Sequence, residues 1–317
     1  VARENGWFKG KDKDFDFQKA YNPYDFSGLR ACEARVWSFF RTFDKSMDKY
    51  KKHIMGDASE EPMPLYIIPD RKVSLADVRE GMRNHYEGTE LSMTNDPGAG
   101  VYKVPYRWRP MTFKSEGREY FNERAIATQQ TGFVLIAQMR SWLPDAVGGI
   151  LWFGVDDANT AVLTPMYASI TEIPECYRRG NGSMTEFSWT SAFWIHNWVA
   201  NMAYNRYEPM IRDIRPVQKE LEDSYVDLVK NTDAKALELL KSSPAQATAY
   251  LTEVCGKVAN EATARWKKLG EYLLVKYMDG NVKKEKDGKF EENGYGQIVS
   301  PNFPGYSQEY YDQVAKS

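Results

Sequence analysis

The chain has 317 residues and a formal net charge of −2, and 42% of it is hydrophobic, 27% charged and 14% aromatic. That mix excludes a disordered or fibrous chain. The near-neutral charge argues against a broad basic surface for nucleic acid, and no apolar run reaches the ~18 residues that a bilayer-spanning helix needs.

Residues 1–24 are charged and aromatic with little period, and read as a surface segment. Val1 is not a translation start, so the expectation is a chain that continues upstream. From 26 to 43, Leu29, Val36, Trp37, Phe40 and Phe43 fall at helical spacing, with Arg30, Glu33 and Arg41 between them. Ser74-Leu-Ala-Asp77 has the form of a capping box, and Leu75, Val78 and Met82 then share one face. The spacing predicts a helix over 74–86, with Gly88 as its stop. Residues 94–110 form a loop rich in Gly and Pro.

Four strands follow, over 119–128, 132–142, 149–155 and 162–169, with turn residues at 144–148 and 156–160. They read as an antiparallel meander. The second and third are apolar at nearly every position, which predicts burial on both faces, in the middle layers of a sandwich covered by helices. After the Gly180-Asn-Gly182 turn the pattern becomes helical over 190–207, 215–229 and 244–278. Residues 280–296 read as a polar excursion. In the 301–317 tail, Tyr306, Tyr310 and Tyr311 are expected to act as pins.

Candidate chemistry is sparse. Cys32, Cys176 and Cys255 are too widely spaced for a zinc motif or a disulfide framework. Cys32 and Cys255 read as core residues, and Cys176, in a loop after Pro174, as the more exposed one. His85 with Glu87 is too few groups for a metal site, and His196 among tryptophans reads as packing. Asp156-Asp157 closes a strand, where aspartate usually bonds to local backbone. Arg107 and Arg109, beside Tyr106 and Trp108, read as loop-holding cation–π and ionic contacts. Gln129, Gln130 and Thr131 precede a buried strand and Arg140 ends it, and buried strands often deliver such groups to a pocket. The groups expected at a pocket are Gln130, Thr131, Arg140, Trp152 and Asn197.

Several ordered segments carry a resemblance. They are Arg83-Asn-His-Tyr-Glu-Gly-Thr89, Pro105-Tyr-Arg-Trp-Arg-Pro110, Glu123-Arg-Ala-Ile-Ala-Thr-Gln-Gln-Thr-Gly132, Gln138-Met-Arg-Ser-Trp-Leu-Pro144 and Gly148-Gly-Ile-Leu-Trp-Phe-Gly-Val-Asp-Asp157. Together with Ser191-Ala-Phe-Trp194 and Asn205-Arg-Tyr207, they resemble the Ntn-type cysteine dipeptidases of the dipeptidase A type, relatives of the secernins. The resemblance spans roughly residues 1–225.

It implies an α+β fold, the αββα Ntn-hydrolase sandwich, with its N-terminal part missing and a largely helical C-terminal region. Residues 1–215 would be the C-terminal part of the catalytic domain and 216–317 a helical extension packed on it. It also implies hydrolysis of dipeptides or short peptides with a free amino end. The nucleophile would be a cysteine at the start of the mature chain, whose α-amine acts as base. Val1 holds no nucleophile, so that cysteine is expected outside this chain, which alone would be inactive and would pair with its own N-terminal part. Arg140 is the candidate for a substrate carboxylate, and Gln130 or Asn197 for an oxyanion or peptide carbonyl. No metal or cofactor is called for; self-association and compartment stay open. The rival reading is a non-catalytic module that holds peptide or glycan on its aromatics.

Overall fold

The computed structural model describes residues 1–298 and 302–317, so the Pro301 end of the expected tail lies outside the described residues. They fall into two compact units, Val1–Ser92 with Arg107–Ile126, and Met93–Tyr106 with Ala127–Ser317.

In the first unit the chain is helical from 26 to 43, as the apolar spacing predicts, but in three pieces. Phe26–Gly28 leads into a π turn, Leu29–Glu33, and then into α1, Ala34–Phe43. Leu29, Ala34 and Trp37 are buried, and the Trp37 indole donates to the Met47 carbonyl at 2.8 Å. Cys32 is exposed rather than in the core. The wider π turn advances each residue through a smaller angle and carries it off the Leu29–Trp37 face.

Helix α2, Leu75–Met82, starts with the predicted capping box: the Ser74 hydroxyl accepts from the Asp77 amide at 3.2 Å, and the Asp77 carboxylate accepts from the Ser74 amide at 2.7 Å. The helix stops well before Gly88. Asn84 Oδ1 accepts from the Tyr86 amide at 2.7 Å, and Tyr86 takes φ +66°. A local side-chain turn thus captures the backbone that would have continued the helix. Strands β1, Thr112–Ser115, and β2, Arg118–Phe121, form a hairpin across Glu116 and Gly117, both at positive φ. The strand expected from 119 therefore pairs backwards and is not part of the later meander.

The second unit holds that meander. Strands β3, Phe133–Met139, β4, Gly149–Val155, and β5, Thr164–Tyr167, pair antiparallel in the order β3-β4-β5, with Leu135 opposite Phe153 and Leu151 opposite Met166. Helices α3, Ala192–Asn205, α4, Tyr207–Leu240, and α5, Pro244–Tyr277, follow. The stretch expected as a short helix over 215–229 lies inside α4, which runs on through Pro216. Pro244 opens α5 behind the Ser243 cap. The buried residues Leu251, Cys255, Val258, Ala262, Trp266, Leu269 and Leu273 of α5 recur at helical spacing. They meet α4, α3 and β5. The result is an α+β arrangement with helices on one face of a small antiparallel sheet.

Burial on the sheet alternates. Ile150 and Trp152 of β4 are buried, while on the opposite face Phe133, Leu135 and Met139 of β3 are 63%, 42% and 65% exposed. The expectation that β3 and β4 are covered on both faces is thus corrected: among the described residues only one face carries a helical layer. An apolar run reports what a strand is suited to, not what lies on it.

A two-residue-strand hairpin, β6, Glu285–Lys286, with β7, Lys289–Phe290, occupies the polar excursion. In the tail, α6, Gln308–Lys316, follows a cluster in which Tyr306 packs on Tyr310, Tyr311 and Tyr102. Among the described residues no helix is long and apolar enough to cross a membrane.

Gly154 marks a close approach within the second unit. A Cβ there would come 2.8 Å from the Val162 carbonyl oxygen and 2.8 Å from Leu163 Cδ2. Gly154→Ala should cost about 1–3 kcal/mol through overpacking against backbone that has no room to retreat. Urea unfolding checks this, and an unchanged midpoint would contradict it.

Candidate active site

The site is built where β4 ends. Asp156 follows Val155 and takes φ +68°, a left-handed conformation that aspartate tolerates better than most residues. Its amide donates to the Gly132 carbonyl at 2.9 Å. Its side chain is 1% exposed. The next residue does what aspartate usually does at a strand end: Asp157 Oδ2 accepts from the Thr160 amide and hydroxyl at 3.0 and 2.9 Å. Its Oδ1 accepts from the Tyr204 hydroxyl at 3.0 Å. The sequence reading assigned local bonding to both aspartates; it holds for Asp157, while Asp156 turns to helix α3.

On α3, Asn197 and Asn201 lie one turn apart and share a face. Asn197 Nδ2 donates to Asp156 Oδ1 at 2.8 Å, and Asn201 Nδ2 donates to Asn197 Oδ1 at 3.0 Å. Gln129 Nε2 donates in turn to Asn201 Oδ1 at 2.9 Å. Three amides thus run head to tail into one carboxylate. Because an ionised carboxylate only accepts, each amide must present its nitrogen toward Asp156 and its oxygen away from it. Each bond polarises the next.

Two acceptors remain at the ends of this chain. Asp156 Oδ2 and Gln129 Oε1 are buried and have no hydrogen-bond partner among the described residues. Burial pushes the Asp156 carboxyl from its ordinary 3.8 up to about 7, with the neighbouring Asp157 charge adding to the rise. The amide of Asp157 and the Asn197 side chain oppose it. A buried carboxyl poised near neutrality, with unfilled acceptors, is a functional-site signature. It suits a group rich in N–H donors and positive charge.

The residues picked from the sequence divide. Asn197 is in the chain of amides. Gln130 is exposed, and its neighbour Gln129 is the one that faces inward. Thr131 bonds locally, its amide donating to the Thr128 carbonyl at 3.0 Å. Trp152 is buried, its indole donating to Gln138 Oε1 at 3.0 Å. The carboxylate that Arg140 holds is Asp233, through two nitrogens, and its remaining donors reach the Val147 and Gly148 carbonyls at 2.5 and 3.3 Å. Tyr167 closes this buried tie between sheet and α4, its hydroxyl donating to Asp233 at 2.6 Å. Gln129 and Asp156 were weighed in the sequence but not placed at the pocket, and Asn201 was not considered. The signal for Gln129 is its place before a buried strand, and for Asn201 the Asn197-x-x-x-Asn201 spacing, which by itself is common.

A second thiol, after Cys32, differs from expectation. Cys176 is buried rather than the most exposed, and burial pushes its thiol up. Cys255 is buried as expected, its thiol pushed up to about 11. His196 packs flat on Trp266 with ring centroids 5.0 Å apart, and burial pulls it down to about 3. His85 Nδ1 lies 3.3 Å from Glu87. Among the described residues no three His, Cys, Asp or Glu side chains converge to hold a metal ion.

The residues that build this site lie between Gln129 and Asn201. A family model described as Peptidase family C69 matches residues 1–220, and the chain belongs to that family. It is 26% identical over 270 residues to a probable dipeptidase B of Lactococcus lactis subsp. lactis (strain IL1403), covering 83% of this chain and 50% of that protein. It is 26% identical over 245 residues to a probable dipeptidase of Latilactobacillus sakei, covering 72% of this chain and 46% of that one. Dipeptidase A of Lactobacillus helveticus is 21% identical over 193 residues, covering 60% of this chain and 33% of its own length. The chain spans about half the length of the first two relatives.

Proposed function

We propose that this chain supplies the substrate-gripping part of a dipeptidase, acting on dipeptides or short peptides with a free amino end. The observation that carries the reading is the pair of unfilled buried acceptors, Asp156 Oδ2 and Gln129 Oε1, at the ends of one polarised chain of amides. A substrate α-ammonium brings three N–H donors and the charge that an ionised Asp156 lacks as a partner. Asn197 and Asn201 are positioning residues that fix the orientation of both acceptors.

The nucleophile in this reading is an N-terminal cysteine outside this chain. Its α-amine takes the thiol proton, sulfur attacks the peptide carbonyl, the C-terminal amino acid leaves, and water hydrolyses the acyl-enzyme. Two of the present thiols, Cys176 and Cys255, are buried and held protonated, which favours a nucleophile from elsewhere. The open apolar face of β3, with Phe133, Leu135 and Met139 exposed, supports a second sheet, from the nucleophile-bearing part, packing there to complete an αββα sandwich. The greater length of the relatives leaves room for such a part.

The test is a comparison of a dipeptide with its N-acetyl derivative, assayed on the catalytically complete protein. The acetylated compound has no ammonium and leaves Asp156 Oδ2 without its charged partner, so kcat/KM should drop by at least about 100-fold. Equal turnover of the two, or none of either, would refute this reading.

A further inference from the structure

Beside the site lies a cavity of about 320 Å³ that the amide chain does not use. Its floor is Phe153 and Val155 of β4, its walls include Tyr177, Phe193 and Trp194, and Arg178 and Arg179 line its rim. The walls are built rather than loose. The Trp194 indole donates to the Ser183 carbonyl at 3.0 Å, and the Ser188 and Thr190 hydroxyls donate to Asn181 Oδ1 at 2.6 and 3.0 Å. Gly182 sits at φ +80°, where a Cβ would come 2.9 Å from the Glu186 carbonyl oxygen and 3.0 Å from Trp194. The loop thus closes on the tryptophan because that position has no side chain. Phe153 meets Tyr177 edge-on at 5.1 Å.

The cavity and the site share their elements. Val155 immediately precedes Asp156, about 3.8 Å away along the backbone. Phe193 and Trp194 lie one turn, about 5.4 Å, ahead of Asn197 on α3. A dipeptide extends about 7 Å, longer than either of these backbone offsets. Arg140, the guanidinium that the sequence offered for a substrate carboxylate, is taken up by Asp233. Arg178 and Arg179 are exposed at the rim. Among the described residues the one hydrogen bond that either guanidinium makes is a long one, 3.5 Å, from Arg178 to the Ile173 carbonyl.

We propose that this cavity is the subsite for the C-terminal residue of the dipeptide, with its side chain against Phe153, Tyr177 and Trp194 and its free carboxylate held by Arg178 and Arg179. The inference rests on the dipeptidase reading and deepens it. Gripping the ammonium at one end and the carboxylate at the other makes the site a ruler: a third residue would place an uncharged peptide group where the guanidiniums expect an anion. Aromatic walls favour an apolar or aromatic C-terminal side chain.

The experiment measures kcat and KM on the catalytically complete protein for a dipeptide with a C-terminal phenylalanine and for the same dipeptide as its C-terminal amide. The wild type should prefer the free acid by about 10- to 100-fold, through KM, as expected for charge-assisted bonds to a carboxylate. In the Arg178→Gln/Arg179→Gln double variant the acid should fall to within about 2-fold of the amide. Arg212→Gln, which removes an exposed guanidinium from α4, should keep the preference. An undiminished preference in the double variant, or no preference in the wild type, overturns the carboxylate subsite while leaving dipeptide hydrolysis in place. A wild type that hydrolyses neither compound overturns the dipeptidase reading itself, and the subsite with it.

Discussion

Replacing Asp156 with asparagine should stabilise the protein at pH 8 and disable it at the same time. In the folded chain the Asp156 carboxyl is pushed up to about 7, against 3.8 for the free group. The folded state therefore holds this proton more tightly than the unfolded state does. The stabilising contribution is fully present below pH about 4, declines as pH rises toward 7 and is gone above it. At ~1.36 kcal/mol per pH unit, the loss amounts to at most about 4 kcal/mol. The introduced carboxamide would mimic the protonated form and still accept the Asn197 bond, so D156N should gain about 2–4 kcal/mol at pH 8 and nothing at pH 3.5. Urea denaturation at the two pH values checks the sign. A variant that is less stable than wild type at pH 8 would contradict the burial of an unpaired carboxylate.

The catalytic consequence runs the other way. In the complete enzyme, kcat/KM for a dipeptide should fall on the acid side of pH about 7, as Asp156 takes up its proton and loses its attraction for the substrate ammonium. D156N should lower kcat/KM about 100-fold at pH 8 and flatten that acid limb. A residue that lowers stability while supporting activity is what a functional site is expected to contain.

Arg140→Leu should have the largest effect on the fold, with a loss of about 2–4 kcal/mol, because it strands the part-buried Asp233 carboxylate, whose side chain is 16% exposed. The Tyr167 hydroxyl, which donates to Asp233 at 2.6 Å, would remain as its partner. That single neutral donor does not replace a guanidinium held through two nitrogens. The double change Arg140→Leu/Asp233→Leu should recover most of the loss, since two apolar groups leave no buried charge. Chemical denaturation of the three variants measures this directly. At a temperature where Arg140→Leu is still folded, the KM for dipeptides should stay within about 2-fold of wild type. A large rise in KM with little loss of stability would return Arg140 to the substrate.

Local patterns determined much of the secondary structure. The Ser74–Asp77 box fixes where α2 begins because both of its bonds close within four residues. The apolar spacing of 26–43 and of 244–278 fixes two helical stretches because one face of each is buried whatever lies opposite. The residue types of β3 and β4 identify strands, and the ordered segments from Arg83 to Tyr207 identify the peptidase family.

Other features depend on partners far along the chain, where no pattern in the sequence points. The strand at 118–121 joins β1 because the Glu116–Gly117 turn brings residues 112–115 back first. Asp156, Gln129 and Asn201 form one chain of bonds only because β4, the segment before β3 and α3 meet in space. An aspartate at a strand end looks the same in sequence whether it caps a turn, as Asp157 does, or faces a helix 41 residues on, as Asp156 does. Arg140 likewise finds its carboxylate 93 residues away. Short-range hydrogen bonds and periodic burial are written into neighbouring residues. Which charge is desolvated, and which polar atom is left without a donor, depends on the packing of distant elements and is decided by the tertiary structure alone.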